Sequence, residues 1–186
     1  MNKIVLLSRK SFLAKIQTHI AKIEINKIKK NIIDIHYSSS IGDKDLSAKA
    51  WEQHGFGIFT NSLSKKLILK EADVVVHSFK DLPIKNLNKT SFVCLQRDDP
   101  RDIILIKKSS LNKKKLVIGT SSPRRKYYLK KLKEFLPFKE LKSIQIRGNV
   151  PSRLENVLNS SKEDGLFIAK AATDRIFKYG QKIDKK

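Results

Sequence analysis

Several side chains that can hold or move a proton follow one apolar run directly. The run is Val74–Val76, and it is followed by His77, Ser78, Lys80 and Asp81. Three valines without polar alternation predict a strand buried on both faces, as in parallel α/β sheets. Ligands of such sheets bind outside the carboxyl ends of the strands. These residues are therefore a candidate site, although Lys80 and Asp81 could equally form a solvated ion pair in a loop.

Two predicted strand-to-helix turns have the composition of anion sites. In the segment 119–125, Gly-Thr-Ser-Ser-Pro-Arg-Arg, Ser122 can cap a helix that begins at Pro123. A helix N-terminus offers free amide donors to an anion, whereas two arginines there oppose the helix dipole. The segment 147–153, Arg-Gly-Asn-Val-Pro-Ser-Arg, repeats this design. The pattern favours an anionic ligand over an ordinary capped helix.

The chain is strongly basic, with 40 Lys and Arg residues against 18 Asp and Glu residues and a formal net charge of +22. Most of the excess is lysine, which indicates a solvated surface that binds polyanions without specificity at low salt. Arginine is the better indicator of a carboxylate or phosphate ligand, because its guanidinium binds both oxygens at once. Nucleic-acid binding ranks last among the possible functions, because no known reader motif occurs.

Short apolar runs alternate with helical periodicity along the chain, which predicts an α/β protein. The predicted strands are Ile4–Leu7, Ile32–Tyr37, Val74–Val76, Ile103–Ile106, Leu116–Ile118, Ser143–Ile146 and Leu166–Ile168. The predicted helices begin near Ser11, Thr60, Pro123 and Pro151, and a last one covers Ala169–Phe177. The charged segment 97–102 is the best candidate for a boundary. We therefore predict two lobes, 1–98 and 99–186, with an anion-lined cleft.

Other features limit the class of protein. No apolar stretch approaches the roughly 20 residues that span a bilayer, and the N-terminus does not resemble a signal peptide, so a cytoplasmic protein is expected. No metal constellation surrounds His54 or His77. The only cysteine, Cys94, lies in an apolar run and is expected to be a buried, inert thiol. The loop Leu46–Gly57 is interpreted as either a mobile lid or a connector.

Five motifs in order resemble hydroxymethylbilane synthase, also called porphobilinogen deaminase. They are Arg9–Ala14, Val76–Pro83, Arg97–Asp102, Gly119–Arg125 and Arg147–Arg153. The resemblance implies a two-lobed α/β fold like that of periplasmic binding proteins. It also implies a transferase of tetrapyrrole and heme biosynthesis that joins four porphobilinogen molecules head to tail, with loss of ammonia, on a dipyrromethane primer.

The resemblance assigns roles to particular residues. Asp81 matches the catalytic aspartate, which would face the pyrrole N–H groups. Six arginines match those that bind the carboxylates of porphobilinogen and the growing oligopyrrole chain: Arg9, Arg124, Arg125, Arg147, Arg153 and Arg175. The remaining residues expected to bind substrate or cofactor are Ser11, Ser78, Lys80, Thr120, Ser121, Ser122, Gly148, Asn149 and Ala169.

The chain departs from the family in ways that leave alternatives open. The family's third domain carries the cysteine that attaches the dipyrromethane, and this sequence ends before it, so a separate polypeptide could supply that domain. Phe56 stands where the glycine loop usually has a lysine. The alternatives to an active enzyme are a non-catalytic two-lobed protein that binds a carboxylated small molecule and an inactive truncated remnant.

Overall fold

A computed structural model describes residues 3–40, 57, 60–83 and 90–183. The chain divides into two compact units, Met1–Arg97 with Arg175–Lys186, and Asp98–Asp174. The predicted boundary lay at 98/99, with all of 99–186 in the second lobe. The units instead divide between Arg97 and Asp98, and residues from Arg175 onward group with the first unit.

The first unit contains a parallel three-stranded sheet. Its strands are β1 (Lys3–Arg9), β2 (Ile32–Ser38) and β3 (Val74–Val75), in the order β2-β1-β3, and its helices include α1 (Phe12–Ile28) and α2 (Asn61–Ile68). Both β2 and β3 are parallel to β1. The carboxyl ends of β1 and β3 therefore lie at the same edge of the sheet, which is where ligands of α/β sheets bind.

The second unit contains a mixed four-stranded sheet. Its strands are β4 (Asp102–Ile106), β5 (Lys115–Gly119), β6 (Glu140–Ile144) and β7 (Gly165–Ala169), in the order β4-β7-β5-β6. Strands β5, β6 and β7 are parallel, whereas β4 is antiparallel to β7 and pairs Asp102 with Ala169. The start of β4 thus lies at the same edge as the ends of the three parallel strands. The helices are α3 (Pro123–Leu132), α4 (Val150–Asn159) and α5 (Lys170–Ile183), and the division between the units falls within α5.

Strand β7 is covered by apolar side chains on both faces. Phe167 packs in a cluster with Ile118 of β5 and Leu129 of α3, and Ile168 packs in a second cluster with Val157 of α4. Successive side chains of a strand point to opposite faces, so this division shows a helix on each side of the sheet. The α/β class predicted from the sequence is confirmed.

The helices begin where the sequence predicted, but not every predicted N-cap side chain makes a capping hydrogen bond. Ser11 and Thr60 do precede α1 and α2, but neither side chain makes a capping hydrogen bond. In the second unit, the hydroxyl of Ser122 accepts from the Arg125 N–H, and the Asn149 side chain accepts from the Ser152 N–H. Helices α3 and α4, which have arginines in their first turns, therefore have side-chain caps.

Two burial predictions were wrong. Strand β3 has only two residues, and Val74 is exposed rather than buried on both faces, because β3 is at the edge of the described sheet. Cys94 is exposed rather than buried, because the apolar run around it forms no strand and packs into no core cluster of the described residues. Strand β6 also begins at Glu140, before the predicted Ser143.

The buried carboxylate of Asp164 stabilises the second sheet at the end opposite to the carboxyl ends of its parallel strands. Asp164 accepts hydrogen bonds from the Ser110 hydroxyl at 2.7 Å, the Lys113 ammonium at 2.7 Å and the Val117 N–H at 2.8 Å. Burial alone raises the pKa of this carboxyl, but the hydrogen bonds and the Lys113 charge outweigh burial, so its pKa lies below the ordinary value. Asp164 thus ties the loop after β4 to β5 and β7.

We expect Asp164→Asn to lower the free energy of unfolding of this unit by about 1.5 kcal/mol at pH 7, since charged hydrogen bonds are lost. A carboxyl with a depressed folded pKa stabilises the fold above its unfolded pKa of about 3.9, and this stability is lost as the pH falls through the folded value. The difference between wild type and variant in urea unfolding should therefore shrink below about pH 4. A difference that is unchanged at pH 3 would contradict this role.

Candidate functional site

The candidate site of the first unit is an ion pair at the carboxyl ends of β1 and β3. Arg9 is the last residue of β1, and Asp81 ends a single 3₁₀ turn, Phe79–Asp81, that follows β3. The Arg9 guanidinium lies 3.7 Å from the Asp81 carboxylate, and both side chains are about one-fifth exposed. This contact is longer than a hydrogen bond, so it is an ion pair in which the Arg9 charge balances that of Asp81.

The turn that carries Asp81 is fixed at its start by Ser78. The Ser78 hydroxyl donates to the Gln17 side chain of α1 at 3.0 Å, and the Asp81 N–H donates to the Ser78 carbonyl at 2.9 Å. Ser78 was predicted to bind a ligand, but here its hydroxyl holds the turn against α1. Ser11 lies at the start of α1, close in sequence to Arg9, and Lys80 is exposed on the turn.

His77 lies between β3 and this turn and is unsuited to be a cation. Burial, and then the positive charge of Arg9, lower its pKa to about 4. Its buried Nε2 atom has no hydrogen-bond partner in the described part of the chain. The imidazole is therefore neutral at pH 7.

The second unit has a candidate site of its own, organised by Asp102, which the sequence analysis did not single out. Its carboxylate binds Arg124 at 2.7 Å and Arg125 at 2.9 Å, both in the first turn of α3. Burial alone raises the pKa of Asp102, but Arg125 and Arg124 outweigh this effect, and the net shift is downward. The carboxylate is therefore ionised at neutral pH and compensates the cations that oppose the dipole of α3.

The turn before α3 is held by its own hydroxyl groups. The Ser122 N–H donates to the Thr120 hydroxyl at 3.3 Å, Thr120 is buried, and the Ser121 hydroxyl donates to the Ile146 carbonyl at the end of the neighbouring strand. Ser122 caps the helix. These three residues, all predicted to bind a ligand, thus shape the turn with their side chains and present the first amides of α3.

The turn after β6 has the same organisation. Asn149 caps α4 and also accepts from the Ser152 hydroxyl at 2.8 Å, and Gly148 has a φ of +102°, a conformation that side chains rarely adopt. The Arg153 Nε atom donates to the Gly148 carbonyl at 2.8 Å. Arg147 is exposed at the beginning of this turn.

Arg125 and Arg153 are two guanidinium groups of this unit whose charges repel each other. Burial, and then the charge of Arg125, lower the pKa of Arg153. The Nε atom of Arg125 is buried and has no hydrogen-bond partner among the described residues. A buried N–H donor without a partner and two like charges near each other are costly in free energy unless an anion binds between them. A carboxylated ligand would satisfy the donor and reduce the repulsion.

The predicted residues fall into two groups by unit. Arg9, Ser11, Ser78, Lys80 and Asp81 belong to the first unit, and so does Arg175 on α5. The second unit contains Thr120, Ser121, Ser122, Arg124, Arg125, Arg147, Gly148, Asn149, Arg153 and Ala169, the last at the end of β7. Within each unit, most of these residues follow the carboxyl ends of parallel strands.

Other predictions can be compared only in part. The glycine loop with Trp51, His54 and Phe56 lies outside the described residues, except for Gly57. Within the described ranges, every helix is too short or too polar to cross a bilayer. The same ranges contain no group of three His, Cys, Asp or Glu side chains arranged for a metal ion.

The fold and the site together describe an α/β protein with a candidate carboxylate-binding site at the ends of its parallel strands. Residues 4–185 match the family described as porphobilinogen deaminase, dipyrromethane cofactor binding domain. The chain belongs to the porphobilinogen deaminase family, as the motifs had indicated.

Curated relatives agree with this assignment. A probable porphobilinogen deaminase of Picrophilus torridus is 38% identical over 173 residues, which cover 91% of this chain and 58% of the relative. The porphobilinogen deaminases of Ruminiclostridium cellulolyticum and Parasynechococcus marenigrum are 34% and 32% identical, over 95% of this chain and 59% and 56% of their own lengths. The chain thus spans less than three-fifths of the relatives it matches.

Proposed function

We propose that this chain provides the substrate-handling part of a porphobilinogen deaminase (hydroxymethylbilane synthase), a transferase of tetrapyrrole biosynthesis. In this role Asp81 acts on pyrrole nitrogen, and the arginines bind the acetate and propionate groups of porphobilinogen and the oligopyrrole. The observation that carries the proposal is the arginine group of the second unit. Arg124 and Arg125 are held by one carboxylate, and Arg125 retains a buried donor without a partner in the described chain.

The arginine group is suited to carboxylates for three reasons. Guanidinium binds carboxylate through two parallel hydrogen bonds. The N-terminus of α3 adds amide donors and positive potential, and its cap is formed by Ser122. Arg153 is half-buried, and burial, followed by the positive charge of Arg125, lowers its pKa. An incoming carboxylate would therefore be bound more strongly here than at an exposed lysine.

Asp81 is suited to stabilise positive charge on a pyrrole. Its carboxylate can accept a hydrogen bond from a pyrrole N–H, and it can stabilise the positive charge that develops on the pyrrole when the C–N bond of the aminomethyl group breaks and its amine leaves as ammonia. Arg9, at 3.7 Å, balances the charge of this carboxylate. Gln17 and Ser78 fix the turn, so the carboxylate does not have to be ordered when substrate binds.

The dipyrromethane fits the same donors, because it carries the same carboxylate side chains as the substrate. The residues that would hold it are Arg125, Arg153 and the turn Thr120–Ser122, and the orphaned Arg125 Nε is the observation that favours an anionic group there. When bound, the dipyrromethane supplies the primer that is extended. Cys94 is exposed in the first unit, and we assign it no part in attachment.

We further propose that the two units are the lobes of an architecture like that of periplasmic binding proteins. The protein would act in the cytoplasm, and a separate polypeptide could supply a cysteine-bearing domain. Scattering measurements on the chain with and without ligand would test the two-lobed arrangement. An unchanged radius of gyration at saturating ligand would argue against closure of lobes around the ligand.

The proposed carboxylate recognition predicts that porphobilinogen binds to this chain and that its dimethyl ester does not. Each lost charged hydrogen bond should weaken binding about tenfold or more. Titration calorimetry at low salt measures both affinities, and ammonia release from porphobilinogen distinguishes an enzyme from a non-catalytic binding protein. Equal affinity for acid and ester would rule out the carboxylate site.

A further inference from the structure

We propose that the second unit has a separate site for the incoming porphobilinogen, in a polar cavity between the end of β6 and helix α4. The cavity has a volume of about 480 Å³, and its lining includes Gln145 and Arg147 after β6, Asn156 and Asn159 of α4, and Glu163 before β7. In this site Glu163 binds the aminomethyl ammonium, and Arg147 binds a carboxylate. The identity of the ligand rests on the proposed function, whereas the recognition of an ammonium carboxylate rests on the cavity alone.

Glu163 has a hydrogen-bond acceptor that nothing in its surroundings satisfies. The residue is half-buried, and its Oε2 atom is buried without a hydrogen-bond partner in the described part of the chain. A carboxylate oxygen only accepts hydrogen bonds, so an N–H or O–H group is needed to satisfy it. Leaving such an acceptor without a donor is costly in free energy. An ammonium group supplies both the donor and the opposite charge.

The C-terminal end of α4 adds negative potential to the same cavity. Asn156, Asn159 and the following Ser160 line it, and the carbonyl end of a helix favours a nearby cation. The last turn of α4 contains no basic residue. Lys107, which follows β4, approaches this end, but its ammonium donates to the Ser160 carbonyl. The Glu163 carboxylate therefore remains open to a second cation.

The charges of the cavity match both ends of porphobilinogen. Its aminomethyl group is a primary amine, which is protonated at pH 7, and its acetate and propionate groups are anions. Arg147 lines the cavity on the side of β6 and is exposed to an incoming carboxylate. In the arginine group of the same unit, the Asp102 carboxylate is already engaged by Arg124 and Arg125. The amine therefore finds its counter-charge at Glu163. The cavity volume also lies within the range of small-molecule sites, about 300–1,000 Å³.

Titration calorimetry at low salt tests this site in the full chain, with Asp81→Asn introduced to suppress turnover. Porphobilinogen should bind in two events per chain. Glu163→Gln should raise the Kd of one event about tenfold or more and leave the other unchanged, since one charged hydrogen bond is lost. Glu155→Gln removes the same charge from an exposed position of α4 and is the matched control.

Two further probes identify the group that is recognised. The hydroxymethyl analogue of porphobilinogen has a hydroxyl in place of the amine, and its affinity should be the same with and without Glu163→Gln. 5-Aminopentanoate has an ammonium and a carboxylate but no pyrrole, and it should bind at least about tenfold more weakly than porphobilinogen. If it binds as tightly, and Glu163→Gln abolishes this binding, the ligand is a free amino acid and the assignment to porphobilinogen is wrong.

The proposal is overturned if Glu163→Gln leaves porphobilinogen binding unchanged, or changes it only as much as Glu155→Gln does. A lower urea unfolding midpoint for Glu163→Gln would also contradict it, because Glu163 would then have a structural partner. Arg125→Met separates this site from the proposed function. It should weaken the other binding event and leave the event that depends on Glu163 unchanged, so the failure of either site can be recognised independently.

Discussion

Replacing Asp81 by asparagine is expected to lower the rate of ammonia release from porphobilinogen by at least about 100-fold, the scale of general acid–base and electrostatic contributions. Asparagine has the same shape, and its backbone N–H can still donate to Ser78. However, an amide cannot stabilise positive charge on a pyrrole. The substitution removes the ion pair between Arg9 and Asp81. Because this pair is partly exposed and weak, the fold should be retained.

The same variant can be tested by binding alone. Wild-type chain should prefer porphobilinogen to its N-methyl analogue, because the analogue leaves a carboxylate acceptor unpaired. Asp81→Asn should lose most of this preference. Its affinity for carboxylates should stay within about twofold of the wild-type value, since the carboxylate-binding arginines are unchanged. Asp34→Asn removes an equal charge from an exposed pair with Lys3 and is the matched control. Near-normal turnover and unchanged N–H preference in Asp81→Asn would exclude the proposed role.

Replacing Arg125 by methionine is expected to raise the Kd for porphobilinogen between about 10-fold and 100-fold, the value of one or two charged hydrogen bonds. Arg125 is only 16% exposed, whereas its neighbour Arg124 is 60% exposed, so Arg124→Met should have a smaller effect. Arg125→Lys keeps the charge but loses the planar fork, and an intermediate affinity is expected. Calorimetry measures all three variants.

The control for this series is Lys130→Met, which removes one positive charge from the exposed, last turn of the same helix. If Lys130→Met weakens binding as much as Arg125→Met does, the effect comes from net charge and not from the site. Arg125→Met also leaves Asp102 with Arg124 alone, so urea unfolding must accompany the titration. If Arg125→Met binds porphobilinogen more weakly but has the unfolding midpoint of the wild type, the substitution affects binding and not stability.

Local chemistry determined much of this protein before any tertiary contact was known. Hydrophobic periodicity sets where strands and helices lie, because each element must bury one face or both. Pro123 and Pro151 favour helix starts, and the segments around them place arginines after strands. Since parallel strands share one edge for their carboxyl ends, the sequence was sufficient to expect Asp81 and the arginines at candidate sites.

The partners of these residues depended on tertiary structure. Asp102 could not be identified as the residue that holds Arg124 and Arg125, because only the antiparallel pairing of β4 with β7 brings the start of β4 to that edge. The exposure of Cys94 likewise could not be predicted, because a local sequence does not specify whether a distant strand pairs with it. Propensity is a property of neighbouring residues along the chain, whereas pairing and burial depend on residues far apart in it.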